Sequence, residues 1–344
     1  MKISLLIPCH NEEKGLRKCL ESALVQTRPL DQIVVVNDGS TDGTQKILAS
    51  FASEHAVIHA INLVINTGNK SKAQEAGLPS VTGDVVVMTD ADTIIDEHFV
   101  ERIEAAFLSD EKREVGAVGG YVCSLKHNWL TACRAIDYIV GQGIFKKAQS
   151  IINYMFVMPG CATAMRTEVL RGLSFNHDTV TEDLDFTFQL HLKGLKIIYA
   201  EDAKVYTQDP PNLPSYIRQM RRWYGGGWQN IRKYYPIVFH RPAAAFELSC
   251  IFLDGVFYSM LLFIMPLANP KAFFTFILPM YFLNAFLFAL YASIKGHRYE
   301  LLLFFPAYVL IVFINAFIIS TEFVKEIVLN RRDLVWQKVD RVSF

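Results

Sequence analysis

Residues 85–99, "VVVMTDADTIIDEHF", place two carboxylates, Asp90 and Asp92, shortly after four apolar residues. The pattern predicts a buried strand that ends on this pair. Side chains alternate between the two faces of a strand, so both carboxylates should point the same way if the strand continues. Two like charges that close repel each other unless a cation or a proton lies between them. Alone, D-x-D is more typical of a polar strand end ahead of a helix cap than of a metal site.

The residues upstream alternate between apolar runs and helical patterns. The apolar runs are "ISLLIPC" (3–9) and "QIVVVND" (32–38), and helices are expected at 12–26 and 44–53. This βαβαβ order predicts an α/β fold with a mostly parallel sheet and helices on both faces. In such sheets ligands bind outside the carboxyl ends of the strands. Asp38 and Asp90 are therefore expected at one ligand-binding edge.

Composition separates the chain into two parts. It has 344 residues with 51% hydrophobic side chains and no net charge, which does not suggest a nucleic-acid partner. The apolar excess lies in three stretches, at 243–268, 272–294 and 299–321. Each is long enough to cross ~30 Å of hydrocarbon as a helix. The six cysteines show no C-x-x-C spacing, which predicts free thiols in a reducing compartment.

Three further motifs have ordinary explanations when each is taken alone. "VVVNDGSTDGT" (34–44) puts Asp38 in a turn that could hold a base or ribose, or could be a plain β-α turn. The acids of "TED" (181–183) are typical of a first helical turn. Arg222 and Trp223, just ahead of the apolar stretches, are typical of interfacial anchors.

Taken together and in this order, the motifs resemble those of membrane-bound family 2 inverting glycosyltransferases. That family includes synthases of hyaluronan, chitin, cellulose and poly-N-acetylglucosamine. The family's motifs N-D-G, D-x-D, T-E-D and Q-x-x-R-W are found in this sequence at residues 37–39, 90–92, 181–183 and 219–223, respectively. The resemblance implies the GT-A (nucleotide-diphospho-sugar transferase) fold, followed by interfacial helices and a C-terminal transmembrane helical region.

The resemblance also implies a nucleotide-sugar donor and a divalent cation, Mg²⁺ or Mn²⁺. Asp92 is expected to bind the metal directly, with Asp90 contacting the ribose, the metal or its water. Asp38 would bind uracil and ribose, and Lys70 would contact the nucleotide. Asp183, beside Glu182, would be the general base of a single displacement that inverts the anomeric carbon.

Other residues are assigned roles by the same resemblance. Gln219, Arg222 and Trp223 would bind the acceptor and the diphosphate, and Gly160 and Cys161 would lie in the loop at the acceptor end. The donor-binding residues would also include Pro8, Asn11 and Glu12. The chain departs from the pattern at Glu75, where the family usually has Asn. It also departs at Gln208 and Asp209, where members often have Glu.

The expected organisation has four parts. Residues 1–212 would form a cytosolic catalytic domain, 213–241 interfacial amphipathic helices, 242–322 a membrane region of about three spans and 323–344 a basic tail. The protein would be integral to the inner or plasma membrane, alone, as a homo-oligomer or with an accessory membrane protein. Three spans would leave the tail outside, although its basic residues favour the cytosol. Either one apolar stretch does not cross the membrane, or the acidic residues of the tail offset the preference of its basic residues for the cytosol.

Two activities are compatible with the four motifs, and Q-x-x-R-W favours the first of them. One is extension of a β-linked polysaccharide from a donor of the UDP-N-acetylglucosamine or UDP-glucose type. The other is transfer of one sugar to a lipid or lipid-linked acceptor. An inactive nucleotide-binding scaffold is disfavoured by the intact carboxylates, and a transporter by the absence of an inverted repeat. Glu247 and Asp254 are seven residues apart in the first stretch. They either line a polar path for the acceptor or are structural acids, near the start of the span or paired with a neighbouring helix.

Overall fold

The computed structural model describes residues 1–331, except for the side chains of residues 252–254. The described chain divides into two compact units. The first unit contains residues 1–123 and 149–208, and the second contains 124–148 and 209–331. Residues 124–148, inside the predicted catalytic domain, thus group with the second unit. The predicted tail beyond Arg331 and the side chain of Asp254 lie outside the described residues.

The first unit is built on eight strands and the helices between them. The strands are β1 Ile3–Cys9, β2 Gln32–Asp38, β3 Ile58–Leu63, β4 Val85–Met88, β5 Thr93–Ile95, β6 Val115–Ser124, β7 Thr163–Arg166 and β8 Lys196–Thr207. The helices are α1 Leu16–Leu24, α2 Thr44–Glu54, α3 Lys70–Gly77, α4 Phe99–Leu108, α7 Thr167–Arg171 and α8 Glu182–Leu192. Helix α1 is shorter than predicted because residues 12–15 form a turn, in which the amides of Gly15 and Leu16 donate to the carbonyl of Glu12.

All eight strands form one sheet in the order β3-β2-β1-β4-β7-β6-β8-β5. Strands β3, β2, β1 and β4 are parallel, as predicted. From β4 onward the sheet is mixed rather than mostly parallel, because β7 pairs antiparallel with both β4 and β6, and β5 pairs antiparallel with β8. Every residue of β1, β2 and β4 is buried, so these strands appear in the sequence as continuous apolar runs. The α/β class is confirmed.

The second unit is helical. Its first helix, α5, spans Trp129–Val140 and is capped by the Asn128 side chain, which accepts from the amides of Leu130 and Thr131. The chain continues as a π-helical segment, Gly141–Lys146, into a short helix α6, Lys147–Ile151, which crosses the boundary between the units. Helix α9 spans Leu213–Tyr234 as one continuous element of 22 residues.

Three long apolar helices follow among the described residues, as predicted. They cover Pro242–Ala268, Pro270–Lys295 and Tyr299–Val328, and by length and composition each could cross a membrane. The first contains α10, Pro242–Cys250, and α11, Ser259–Ala268. The second contains α12, Pro270–Ala272, and α13, Leu278–Lys295, and the third contains α14, Phe305–Phe323. The third extends seven residues beyond the predicted stretch, where buried Glu322 and Glu326 interrupt the apolar pattern.

One hydrophobic core joins these helices inside the second unit. Ala285, Ala289 and Ala292 lie buried on α13, and small side chains there allow close packing with α5. Tyr216 and Met220 of α9 belong to the same cluster. The predicted helix at the Q-x-x-R-W motif therefore exists, and one side of it is buried against protein.

Candidate active site

The D-x-D motif lies in a turn, not on a strand. Strand β4 ends at Met88 and β5 begins at Thr93, whose amide donates to the carbonyl of Asp90 at 3.1 Å. The strand does not continue through the motif, so the condition under which both carboxylates would point the same way is not met. Their surroundings also differ: the Asp90 side chain is 36% exposed, whereas Asp92 is only 4% exposed. The pair thus offers one accessible and one buried carboxylate.

Lys70 joins the D-x-D turn to the T-E-D motif. Its Nζ lies 2.6 Å from Asp90 Oδ1 and 2.8 Å from Glu182 Oε1. The lysine is the first residue of α3, directly after Asn69, whose side chain caps the helix by accepting from the Ser71 amide. Burial disfavours the ammonium, but the two carboxylates outweigh it and raise the pKa of Lys70 well above its ordinary value. A permanent positive charge therefore lies between two of the predicted site residues.

Asp183 and the 160–161 loop lie beside this ion pair. A Cβ on Gly160 would be 3.2 Å from Lys70 Nζ and 3.3 Å from Asp183 Oδ2. Asp183 is in the first turn of α8, and its Oδ1 accepts from the amide of Leu184 at 2.8 Å. Glycine therefore allows the loop to approach both charged groups.

Cys161 fixes the same loop through its backbone. Its carbonyl accepts from Thr89 Oγ1 at 2.8 Å, which ties the loop to the residue just before Asp90. Burial, reinforced by the nearby carboxylate of Asp90, raises the pKa of the Cys161 thiol far above its ordinary value. The thiol is thus neutral, and its side chain is not suited to act as a nucleophile.

Asp38 ends β2 at the edge predicted for the nucleotide. It is 4% exposed, and both of its oxygens accept from Thr67, Oδ1 from the amide at 2.9 Å and Oδ2 from Oγ1 at 2.8 Å. Gly39 has a φ of +59°, and a Cβ there would lie 2.4 Å from the amide nitrogen of Asn66. The N-D-G turn therefore requires glycine and packs closely against residues 65–67.

The three donor-binding candidates near the N-terminus support this turn. Pro8 lies on β1 in register with Val36 of β2. Asn11 has a left-handed φ of +55°, and its Oδ1 accepts from the Thr41 amide at 2.8 Å. The amide of Glu12 donates to Thr44 Oγ1 at 2.8 Å. Asn11 and Glu12 thus hold the loop that follows Asp38.

A contact that the sequence analysis missed ties α3 to the segment before T-E-D. His177 Nδ1 lies 2.8 Å from Ser71 Oγ, and its Nε2 lies 3.2 Å from Glu75 Oε2. Glu75 was the departure from the family pattern, and the structure gives it this partner. The only sequence signal was that unexpected residue, because a contact over 102 positions has no local pattern.

A small cavity lies next to the T-E-D motif. It is lined by Gln74, Met88, Met158, Gly160, Thr163, Met165, Glu182, Asp183 and Phe186. Its volume of about 10 Å³ is close to what one water molecule needs. Gln74 is 2% exposed, and its Oε1 has no hydrogen-bond partner among the described residues. The cavity therefore has an unsatisfied acceptor in its lining, together with the two acids of the T-E-D motif.

The carboxylates fit a hard divalent cation that is completed by substrate. Within the described part of the chain there is no group of three or more His, Cys, Asp or Glu residues that could hold a metal ion alone. Mg²⁺ in particular is usually bound by one or two carboxylates together with substrate phosphates and water. Asp92 and Asp90 provide such a partial set of oxygens.

The Q-x-x-R-W residues lie in the second unit, on α9. Gln219, Arg222 and Trp223 are spaced i, i+3 and i+4, which places them on one side of the helix. Gln219 is 5% exposed and Trp223 is half-buried. The ring of Trp223 lies under the guanidinium of Arg134, with 5.1 Å between Cζ and the ring centroid. No sequence motif had singled out Arg134.

Residues 2–226 match the family described as "Glycosyltransferase like family 2". A poly-beta-1,6-N-acetyl-D-glucosamine synthase of Staphylococcus epidermidis is 28% identical over 239 residues, which are 69% of this chain and 57% of that protein. The synthase of the same name from Staphylococcus aureus strain COL is 28% identical over 227 residues, 65% of this chain and 54% of that protein. The chain thus spans little more than half the length of these relatives.

Two solved structures have a similar fold. A mannosyltransferase from Pyrobaculum calidifontis in complex with GDP-Man and Mn²⁺ has a TM-score of 0.57 and 21% identity, covering 87% of this chain and 88% of that one. Residues 1–349 of TarS from S. aureus, in complex with UDP, have a TM-score of 0.53 and 19% identity, covering 94% of this chain and 91% of that one. At this level of identity the likeness shows the fold.

Proposed function

Because the chain belongs to the glycosyltransferase-like family 2, we propose that it transfers a sugar from a nucleotide-diphosphate donor to a growing β-linked polysaccharide at the membrane. The observation that carries this proposal is the ion pair of Lys70 with Asp90 and Glu182, directly beside Asp183. It gathers a cation, metal-binding oxygens and a candidate base at one place. The poly-N-acetylglucosamine synthases among its relatives favour a UDP-N-acetylglucosamine donor, with a UDP-glucose type as the second choice.

The donor diphosphate would be bound at the D-x-D turn. Asp92, with Asp90, would hold Mg²⁺ or Mn²⁺, which neutralises charge on the leaving diphosphate when it is bound. Lys70 adds a second positive charge close to the same group. Asp38, supported by Asn11 and Glu12, would bind the base and ribose, and Pro8 would line the same end.

Asp183 would remove the proton from the acceptor hydroxyl. The hydroxyl oxygen forms a bond to the anomeric carbon while the bond from that carbon to the diphosphate oxygen breaks, and the proton moves to Asp183. One displacement inverts the configuration, so an α-linked donor gives a β-linkage. Glu182 would keep Lys70 in place, and the 160–161 loop would limit where the acceptor can lie.

The acceptor would be bound by residues of α9. The ring of Trp223 offers a flat face to a sugar, Gln219 an amide, and Arg222 a charge for the diphosphate. The proposed organisation remains a cytosolic catalytic domain at 1–212, interfacial helices at 213–241, spans at 242–322 and a basic tail at 323–344, in the inner or plasma membrane. A homo-oligomer or an accessory membrane protein would complete any path for the polymer.

A second candidate is transfer of a single sugar to a lipid or lipid-linked acceptor. It is favoured by the small number of apolar helices, three among the described residues, which alone would enclose little space for a polymer. Both candidates use the same donor site. They differ in the product and not in the chemistry.

The decisive experiment uses the full chain purified in detergent or nanodiscs. It is incubated with a panel of UDP- and GDP-sugars with Mg²⁺, Mn²⁺ or EDTA, and the products are sized. A ladder of β-linked oligosaccharides from one UDP-sugar supports the main proposal. A single lipid-linked sugar supports the second candidate. Nucleotide binding without any transfer or donor hydrolysis would contradict both and favour an inactive scaffold.

A further inference from the structure

A buried arginine in the second unit contacts the tryptophan of the Q-x-x-R-W motif. Arg134 on α5 has a side chain only 5% exposed. Its Cζ lies 4.8 Å from the ring centroid of Tyr138, 5.1 Å from that of Trp223 and 5.6 Å from that of Tyr216. Three aromatic rings from two helices thus surround one guanidinium.

Two carboxylates fix the orientation of this guanidinium. Nε lies 3.4 Å from Asp209 Oδ1, and Nη1 lies 3.0 Å from Asp137 Oδ2. Each carboxylate is held in turn, Asp209 by the hydroxyl of Ser124 and Asp137 by the hydroxyl of Tyr308 at 2.9 Å. A planar group held at two edges has little freedom to rotate.

The charge on Arg134 is stable despite its burial. Burial alone would lower the pKa, but the surrounding phenol and carboxyl groups, of which Tyr138, Asp209 and Asp137 contribute most, raise it well above its ordinary value. A desolvated cation over an aromatic ring is attracted more strongly than an exposed one. Arg134 is therefore charged where it lies over the ring of Trp223.

We propose that Arg134 is a positioning residue for Trp223, and that Asp209 and Asp137 act through it. The guanidinium covers one side of the indole and fixes its plane, so that an acceptor sugar can use only the other side. The proposal rests on the proposed role of Trp223 in binding the acceptor. It also gives a function to Asp209, the departure from the family pattern just before α9.

A purely structural arginine would behave differently. Its loss would lower stability and affect the donor and the acceptor alike, whether or not Trp223 is present. A positioning residue should change the acceptor KM and the environment of the indole, and its effect should disappear when the indole is removed. A double-mutant cycle separates these cases.

The chain contains a matched control in its first unit. Arg166 has a side chain 10% exposed, lies 2.9 Å from Asp110 Oδ2 and has its Cζ 5.2 Å from the ring centroid of Phe107. It is another buried arginine with a carboxylate and a ring, but it does not touch Trp223. Arg166→Met therefore reports the general cost of removing such a group.

The experiment compares wild type, Arg134→Met, Arg134→Lys and Arg166→Met in the full chain, each alone and each combined with Trp223→Phe. The acceptor probe is a β-1,6-linked N-acetylglucosamine tetramer, and UDP binding is measured separately. We expect Arg134→Met to raise the acceptor KM about tenfold while UDP affinity and kcat stay within about threefold. Arg134→Lys should restore only part of the loss, because it keeps the charge but not the planar group held by two carboxylates. In the Trp223→Phe background, Arg134→Met should change KM by less than about twofold.

A second readout needs no acceptor. The emission of Trp223 is obtained as the difference between each protein and its Trp223→Phe partner. Arg134→Met should shift that emission and increase its quenching by acrylamide, whereas Arg166→Met should not. Unchanged Trp223 emission, or an equal KM effect with and without the indole, would overturn the proposal. Absence of any transfer in the wild-type protein, with the emission shift present, would instead count against the proposed function.

Discussion

The ammonium of Lys70 lies 2.6 Å from Asp90 and 2.8 Å from Glu182, so one side chain links the D-x-D and T-E-D motifs. From the resemblance, neutralisation of the D-x-D carboxylates was expected from a divalent cation. The structure shows that a lysine already supplies part of it. The metal, when bound, is then expected to depend more on Asp92, whose side chain is buried.

Removal of Lys70 should change the pH dependence of the reaction. The pKa of Lys70 is raised above its ordinary 10.5, so its ammonium is fully charged below that pH and loses its proton only as pH rises through the higher folded value. Between about pH 7 and 10 the wild type should therefore show no alkaline loss due to this group. In Lys70→Met, Asp90 and Glu182 lose their cation, and the acidic limb of kcat/KM should move to higher pH. Lys72→Met, an exposed neighbour on α3, is the control, and an unmoved limb in Lys70→Met would contradict the prediction.

Asp183→Asn should abolish turnover without abolishing nucleotide binding. The amide cannot accept the acceptor proton, so kcat should fall by roughly 10²–10⁴-fold. Asp185→Asn is the matched control on the same helix. That carboxylate accepts from Asn176 and Gln189, so its loss should lower stability more than kcat of the folded enzyme. Wild-type turnover in Asp183→Asn would exclude it as the base.

Metal dependence should distinguish the two D-x-D carboxylates. EDTA should stop transfer, and Mg²⁺ or Mn²⁺ should restore it. Asp92→Asn should raise the Mn²⁺ concentration needed for half-maximal activity more than Asp90→Asn does, because Asp90 already pairs with Lys70. The measurement is a Mn²⁺ titration of each variant at saturating donor. Full activity in chelator, or a larger effect at Asp90, would be inconsistent with this assignment.

Gly160→Ala should disturb the site without unfolding the protein. The new methyl group would lie 3.2 Å from Lys70 Nζ and 3.3 Å from Asp183 Oδ2, so the charged groups must move by a few tenths of an ångström. Small misplacements of catalytic groups are costly, and we expect kcat to fall about tenfold. Gly172→Ala, where a Cβ would meet only carbonyl oxygens at 3.4 and 3.6 Å, should be nearly silent. Equal kcat values for the two variants would refute the argument.

Substitution by Leu should have opposite effects on stability at two buried glutamines. Gln74 Oε1 has no partner among the described residues, so Gln74→Leu should leave the free energy of unfolding unchanged or raise it by about 1 kcal/mol. Gln32 accepts from Ser4 Oγ and the Thr82 amide and donates to the Ser80 carbonyl. Its replacement by Leu leaves those groups without this hydrogen-bond partner and should lower the free energy of unfolding by about 1–3 kcal/mol. Thermal or denaturant unfolding of both variants measures the difference, and a more damaging Gln74→Leu would mean that its amide is satisfied in solution.

The sequence by itself determined the class, the motifs and the apolar segments. Strands β1, β2 and β4 were visible because a fully buried strand is a continuous apolar run, and the three long helices because crossing hydrocarbon sets a minimum apolar length. The start of α8, directly after Thr181, was visible because Glu182 and Asp183 are acidic and acidic residues favour a first helical turn. These signals are local, and local physics is enough to produce them.

Tertiary structure decided how charged groups are paired. The partners of Lys70 lie 20 and 112 positions away, Asp209 lies 75 positions from Arg134, and His177 lies 106 positions from Ser71. The turn at Asp90 and the antiparallel half of the sheet likewise depend on which strands meet. Such contacts follow from packing of the whole unit, where burial penalises an unpaired charge and selects its partner from any part of the chain. No window of sequence contains that information, so the arrangement of the site appeared only in the folded chain.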